Sequence, residues 1–198
     1  MAMNKVFFLI LTALLITGCS RKKKDDGEKS VRITFIACNQ FPIKDLLKTQ
    51  IAIEEYLYKE FNIVAMIEYD DVPETIGKSG KRYNAEEIAN HFQSDSFPLT
   101  IVFLNEDIEQ NGKGVLGISL HPGNTCVVSS YRLKNKSDIW KLVAREFIHT
   151  YFDYSHCPND NTNCIMKDAK EKVNFDNIES LCSTCKREIL KNRDDLHQ

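Results

Sequence analysis

Four cysteines in the last quarter of the chain constrain its fold more than any other feature. They form two close pairs, Cys157 with Cys164 and Cys182 with Cys185, and seventeen residues separate the pairs. Four thiolates in two close pairs can surround one tetrahedral zinc ion. In an exported protein the alternative is two disulfides. Either cross-link would tie the C-terminal region into one compact unit.

The segment "REFIHTYFDYSHC", Arg145 to Cys157, precedes and includes the first of these cysteines. The segment "DIWKLVA" directly precedes it. The apolar spacing of the combined stretch "DIWKLVAREFIHTYF" predicts a helix that Ser137 or Asp138 can cap. Histidines at positions i and i+4 of a helix can share one zinc, and a glutamate beside the first can activate a metal-bound water. Here the i position is Arg145, whose guanidinium stays protonated and repels a divalent cation. No other histidine lies four residues from His149.

Together these segments resemble the archaemetzincins, a family of zinc peptidases. "REFIHTYFDYSHCPNDNTNCIM" and "LCSTC" match the glutamate, the second and third histidines, the methionine and the four cysteines of the family motif, and "YNAEEI" and "SSYRL" are similar to further family segments. The resemblance implies a structural zinc on the four cysteines and a methionine turn at Met166. It also implies a residual catalytic zinc site at His149 and His156, with Glu146 in the place of the general base.

The departures from the family motif cluster at the catalytic metal. Arg145 stands where the family has its first zinc histidine, and Phe152 stands where it has a turn glycine. Six residues separate His149 from His156, where the family has five. Glycine adopts a positive φ at little cost and a bulky phenylalanine does not, but Asp153 tolerates the left-handed region and the extra residue can absorb the change. We therefore expect His156 to reach the cleft.

The rest of the chain from position 31 predicts one domain. Its 198 residues are 42% hydrophobic and 27% charged, which suits a single core. Strand and helix patterns alternate as β-α-β-α-β, which predicts a mostly parallel sheet with crossover helices. "GVLGISL" and "TCVVSSY", joined by the turn "HPGN", predict a hairpin or a rim strand. With the resemblance, the fold class is α/β of the α+β zincin-like kind: a mixed, mostly parallel twisted sheet packed on an active-site helix, with a C-terminal four-cysteine zinc-stapled segment.

The first eighteen residues are predicted to be a lipoprotein signal peptide. Lys5 precedes an apolar run from Val6 to Ile16, and "ITGC" resembles a bacterial lipobox, in which Cys19 is acylated. A plain signal peptide or a short membrane helix is the alternative, although the run is short for a span. Residues 19–30 predict a charged flexible tether, and residues 31–198 the domain. The predicted location is the bacterial cell envelope, with a lipid anchor in the membrane, at the outer membrane or the cell surface.

The net charge bears on the expected partners, and the remaining cysteines bear on possible disulfides. The formal net charge is −2, so no large single-sign field indicates nucleic acid. The expected partners are a peptide or protein substrate or ligand and, through Cys19, the membrane. Cys38 and Cys126 are predicted to be buried thiols, and a disulfide between them remains an alternative.

Three hypotheses of function follow. In the first, the protein is a lipid-anchored archaemetzincin-like homologue that keeps its structural zinc and has a degraded catalytic zinc site, so its peptidase activity is weak or absent. In the second, it is an active zinc metallopeptidase that uses His149, His156 and Glu146, with Asp153, Tyr151 or Tyr154 completing the ligands. In the third, it is a pseudo-peptidase that holds an extended peptide by strand addition at a rim strand near residues 126–130.

Overall fold

A computed structural model describes residues 31–61, 63–93, 99–120, 123–159, 163–167, 178 and 180–196. The predicted signal peptide, the tether and Cys19 lie outside the described residues. In the described part of the chain, no helix is both long enough and apolar enough to span a bilayer.

The domain contains nine strands and four α-helices within the described residues, plus a 3₁₀ turn at Lys136–Asp138. In chain order they are β1 Val31–Cys38, α1 Ile43–Phe61, β2 Ile63–Asp70, β3 Lys78–Ser79, β4 Arg82–Asn84, α2 Ala85–His91, β5 Thr100–Leu104, β6 Ile108–Gln110, β7 Lys113–Val115, β8 Gly117–Ser119, β9 Thr125–Ser129, α3 Ile139–Phe152 and α4 Ser183–Leu196.

The main sheet has five strands in the order β2-β1-β5-β9-β8. Its first four strands are parallel, and β8 runs antiparallel to β9. The mixed, mostly parallel sheet of the sequence prediction is therefore confirmed, as is the β8–β9 hairpin. The placement of the rim strand near residues 126–130 was wrong, because β9 pairs on both of its edges and β8 is the end strand. A second, four-stranded sheet, β3-β4-β6-β7, was not predicted.

The central strands β5 and β9 are buried on both faces, and β1 is buried except at Arg32, which explains why these strands are mostly apolar. One face packs against α1 and α3, where Leu46, Leu57 and Phe147 are fully buried. The other face packs against α2, where Ile88 is fully buried. Successive residues of a strand point to opposite faces, so each strand contributes to both layers.

The helix starts are set by short polar side chains. Asn84 caps α2, and its Oδ1 accepts hydrogen bonds from the backbone N–H groups of Glu86 and Glu87. Asp138 occupies the predicted N-cap position of α3, but its side chain makes no capping bond there and pairs with Lys141 at 2.9 Å instead. Asn135 caps the preceding 3₁₀ turn, so α3 begins directly after that turn.

Candidate active site and zinc cluster

Arg145, Glu146 and His149 lie on α3, with their side chains toward the cleft beside β8. The apolar face of α3 packs in the core. The charged side chains on the cleft side of the helix are also almost completely buried. Arg145 is 7% exposed and Glu146 is 5% exposed. Buried charges of this kind need partners, since an unpaired buried charge is costly.

The chain reverses direction immediately after α3. Phe152 remains helical and packs in the core, and Asp153 takes the left-handed conformation, with φ 48° and ψ 36°. The turn brings the carbonyl of Tyr154 to 2.7 Å from His149 Nδ1. His156 then lies beside His149, with 5.1 Å between the ring centroids. His156 lines the cleft together with His149, and the left-handed conformation lies at Asp153 while Phe152 stays in the helix.

The guanidinium of Arg145 lies between the two imidazoles. Its Nε donates to His149 Nε2 at 3.3 Å, and its Nη2 lies 2.8 Å from His156 Nε2. Arginine can only donate, so both Nε2 atoms are acceptors and both rings are neutral. Burial lowers the pKa of His149, and the charge of Arg145 lowers it further, against the opposing charge of Glu146. The two ring nitrogens that a zinc ion would require are therefore already used by a fixed cation.

Glu146 is held on its other side by β8. Ser119 Oγ donates to Glu146 Oε2 at 2.6 Å. Gly117 allows β8 to lie close against β9, because an added Cβ there would lie 2.9 Å from the carbonyl oxygen of Val127; the same Cβ would make an ordinary contact of 3.4 Å with Cγ of Glu146. Sequence reasoning missed Ser119 and Gly117. Their spacing of two along a strand, which puts both on one face, was the signal that could have found them.

A cleft of about 410 Å³ opens over these groups. Its lining includes Asp153 and Tyr154, two of the predicted substitute ligands. Tyr151, the third, stacks on Phe147 in the core with 5.3 Å between the ring centroids. Among the described residues, the histidines do not form part of any group of three or more ligand atoms close enough to share a metal. In this arrangement the space between the two histidines is occupied by the guanidinium of Arg145.

The four cysteines, by contrast, form a compact donor set. The Sγ atoms of Cys157, Cys164, Cys182 and Cys185 all lie within 4.8 Å of one another. Cys157 Sγ and Cys182 Sγ are 3.7 Å apart. This is close to the roughly 3.8 Å edge of a tetrahedron with Zn–S bonds of about 2.3 Å, and far longer than a disulfide bond. All four are free thiols, so the segment is a zinc site and the disulfide alternative is not adopted.

Backbone groups around the cluster favour thiolates. The N–H of Cys182 points to Cys164 Sγ at 3.4 Å, and the N–H of Cys185 points to Cys182 Sγ at 3.5 Å.

Met166 is fully buried in the same core cluster as α3, and its carbonyl accepts from the N–H of Cys157 at 2.6 Å. The predicted methionine turn is thus a buried link between the cysteine segment and the active-site helix.

Cys38 and Cys126 lie on opposite faces of the sheet. Burial raises the pKa of each thiol to about 12. Both are therefore buried thiols, as predicted, and a disulfide between them is excluded by the sheet itself.

Known proteins with a similar sequence or a similar fold can be compared with this chain. No family model matches the chain. It is 35% identical over 96 residues to the archaemetzincin of Nanoarchaeum equitans (strain Kin4-M), a match that spans 48% of this chain and about half, 54%, of that relative. The crystal structure of the Methanopyrus kandleri archaemetzincin has a TM-score of 0.70 at 20% identity, covering 83% of this chain and 96% of that one. A zinc-dependent peptidase from Methanocorpusculum labreanum (strain Z) has a TM-score of 0.63 at 18% identity, covering 80% and 99%.

Proposed function

We propose that the chain is a member of the archaemetzincin family and acts as a lipid-anchored pseudo-peptidase. In this proposal the four-cysteine zinc is retained as a structural element, and the catalytic zinc has been replaced by the guanidinium of Arg145. Peptide hydrolysis is then weak or absent.

The observation that carries the proposal is the position of Arg145. Its hydrogen bonds of 3.3 Å and 2.8 Å to His149 and His156 engage both ring nitrogens that would bind a metal. A guanidinium neither binds a hydrolytic water nor lowers its pKa as zinc does. Glu146 stands in the place of the family's general base and accepts a hydrogen bond from Ser119; without a catalytic zinc it would have no metal-bound water to deprotonate.

The number of zinc ions per chain tests this proposal. We expect elemental analysis of the purified protein to find one tightly bound zinc, held by the cysteines and retained after dialysis against a moderate chelator. Cleavage of a mixed peptide library should not exceed that of a Glu146→Gln variant. Two tightly held zinc ions, or chelator-sensitive cleavage that Glu146→Gln abolishes, would show that the chain is an active peptidase.

Peptide binding without hydrolysis is a second candidate function, supported by the end strand β8. This strand borders the cleft. The backbone hydrogen bonds at the two ends of β8 join it to β9: Leu120 N donates to Thr125 O, and Ser129 N donates to Leu116 O. In an antiparallel pair such bonds involve every second residue. The same alternation leaves the backbone groups of Gly117 and Ser119 directed away from β9, where an extended peptide can add as a strand. Retention of specific peptides from a library, and their release when Ile118→Pro distorts β8, would support it.

A further inference from the structure

The exposed large apolar side chains are concentrated on one edge of the domain. Among the described residues they are Ile43, Leu47, Ile51, Val64, Met66, Tyr69 and Tyr131. All of them except Tyr131 belong to α1 or β2. Scattered apolar residues need no explanation, but a contiguous patch indicates a surface that another molecule covers.

The α1 part of this patch is a stripe beside β2. Ile43, Leu47 and Ile51 are spaced by four residues, so they follow one side of the helix. Gln50, which lies next to this stripe on the helix, donates from Nε2 to the carbonyl of Ala65 in β2 at 3.4 Å. The Gln50 side chain thus lies over the free edge of β2, beside the stripe, and an added strand would displace it from the Ala65 carbonyl.

The β2 part of the patch lies on both faces of an end strand. Tyr69 is on the face of β2 that packs against α1. It is an even number of positions from Ile63 and Ala65, which are in the core on that face. Val64 and Met66 are on the opposite face. β2 pairs with β1 over all eight residues without a bulge, and it contains neither lysine nor proline. Natural end strands usually carry bulges, prolines or charged side chains to prevent pairing, and in β2 the charged side chains are confined to Glu68 and Asp70 at its carboxyl end.

We propose that this edge, comprising β2 and the Ile43–Leu47–Ile51 stripe, pairs with the same edge of a second copy of the chain. The covering molecule has to supply both a strand edge and apolar side chains on each face of it, and β2 supplies both. A twofold axis perpendicular to the sheet makes the two β2 strands antiparallel, so that each copy presents the same residues to the other. The result is one continuous ten-stranded sheet.

Charge sets the register of this pairing. The acidic residues of β2, Glu68 and Asp70, lie at its carboxyl end. With Met66 at the axis, Glu68 of the second copy lies opposite Val64. Val64 pairs on its other side with Arg32 of β1, and both Arg32 and Glu68 are exposed. Each Glu68 thus approaches an arginine of the other copy. A bilayer is a poorer occupant, because it would leave the edge backbone without hydrogen bonds and would desolvate these acids.

Val64→Lys tests the proposal, and Tyr131→Lys is the matched control. Both changes replace an exposed apolar side chain by lysine, but only the first lies on the edge. The full chain is studied by sedimentation in a non-ionic detergent at micromolar concentration. We expect the mass of two chains for the parent and for Tyr131→Lys, and at least about a tenfold weaker self-association for Val64→Lys. Hydrogen exchange should show protected β2 amides in the parent and fast exchange in Val64→Lys, with equal zinc content.

A parent that sediments as one chain overturns the proposal. So does a Val64→Lys variant that remains dimeric, because the interface would then lie elsewhere. The third contrary result is a one-chain parent whose Cys19→Ala form floats with phosphatidylcholine vesicles and stops doing so when Val64→Lys is added. That outcome would assign the patch to a lipid surface.

Discussion

Arg145 places one permanent positive charge between two neutral imidazoles, next to a buried carboxylate. Its hydrogen bonds fix the orientation of His149 and His156, a task that a metal performs in a zinc site. Nδ1 of His149 faces the carbonyl of Tyr154, so the tautomer is the one that keeps Nε2 as an acceptor. The site is therefore arranged for a cation, and the side chain itself supplies it.

Arg145→His should create a second zinc site. The change removes the fixed charge and restores histidines at i and i+4, with His156 already near them. We expect two zinc ions per chain by elemental analysis. Peptidase activity can stay low, because a ligand misplaced by about 1 Å costs roughly a hundredfold in rate.

Arg145→Gln is the control for this experiment. It removes the charge without adding an imidazole, so it should still bind one zinc per chain. If Arg145→His also binds only one, the turn from Asp153 to His156 holds the third ligand out of reach.

Two short elements support the site, the turn after α3 and the cysteine segment. The turn lets the helix include Phe152, which is buried against Phe147 with 5.8 Å between the ring centroids. The cysteine segment packs in the same core and is tied to α1 through the N–H of Leu181, which donates to the Tyr56 hydroxyl at 2.9 Å. Neither element is an independent appendage.

Phe152→Gly should destabilise the domain although the family motif has glycine there. The lost burial and the cavity predict a cost of roughly 3–5 kcal/mol in the free energy of unfolding. Asp153→Gly should change it by no more than about 1 kcal/mol, since glycine readily takes the left-handed conformation. Denaturant unfolding of both variants measures the difference. A stabilising Phe152→Gly would mean that the left-handed residue is Phe152.

Cys182→Ser should release the structural zinc and loosen residues 157–190. Because each kcal/mol shifts the melting temperature of a domain of this size by about 2–4 °C, loss of the cluster should lower it by roughly 5–10 °C. Cys38→Ala, in the other layer of the core, should keep the zinc. Loss of zinc from Cys182→Ser without a change in melting temperature would show that the cluster is dispensable for the fold.

At the scale of the whole molecule, the predicted lipid anchor at Cys19 is expected to hold the domain at a membrane. The lipidation of Cys19 and the tether are predictions from the sequence pattern, and the described residues begin at Val31. A single acyl chain binds a membrane marginally, whereas a multiply acylated cysteine holds firmly.

Cys19→Ala should move the full chain from the detergent phase to the aqueous phase in a phase-partition experiment. Ser20→Ala, which leaves the cysteine in place, should partition like the parent. If Cys19→Ala stays in the detergent phase, the apolar N-terminal segment is the anchor and no lipid is required.

The sequence by itself determined the features that depend on residue type and local spacing. The cysteine pairs specified a zinc site, the apolar periodicities specified the strand and helix order, and arginine at position 145 indicated a departure from the family's metal motif. Tertiary structure decided the features that depend on neighbours far apart in the chain. It placed Ser119 against Glu146, separated Cys38 from Cys126 on opposite faces, made β8 rather than β9 the rim strand, and set the Arg145 guanidinium between two histidines. Strand order and turn geometry create these contacts. Neither can be predicted from the sequence spacing of the residues that come into contact.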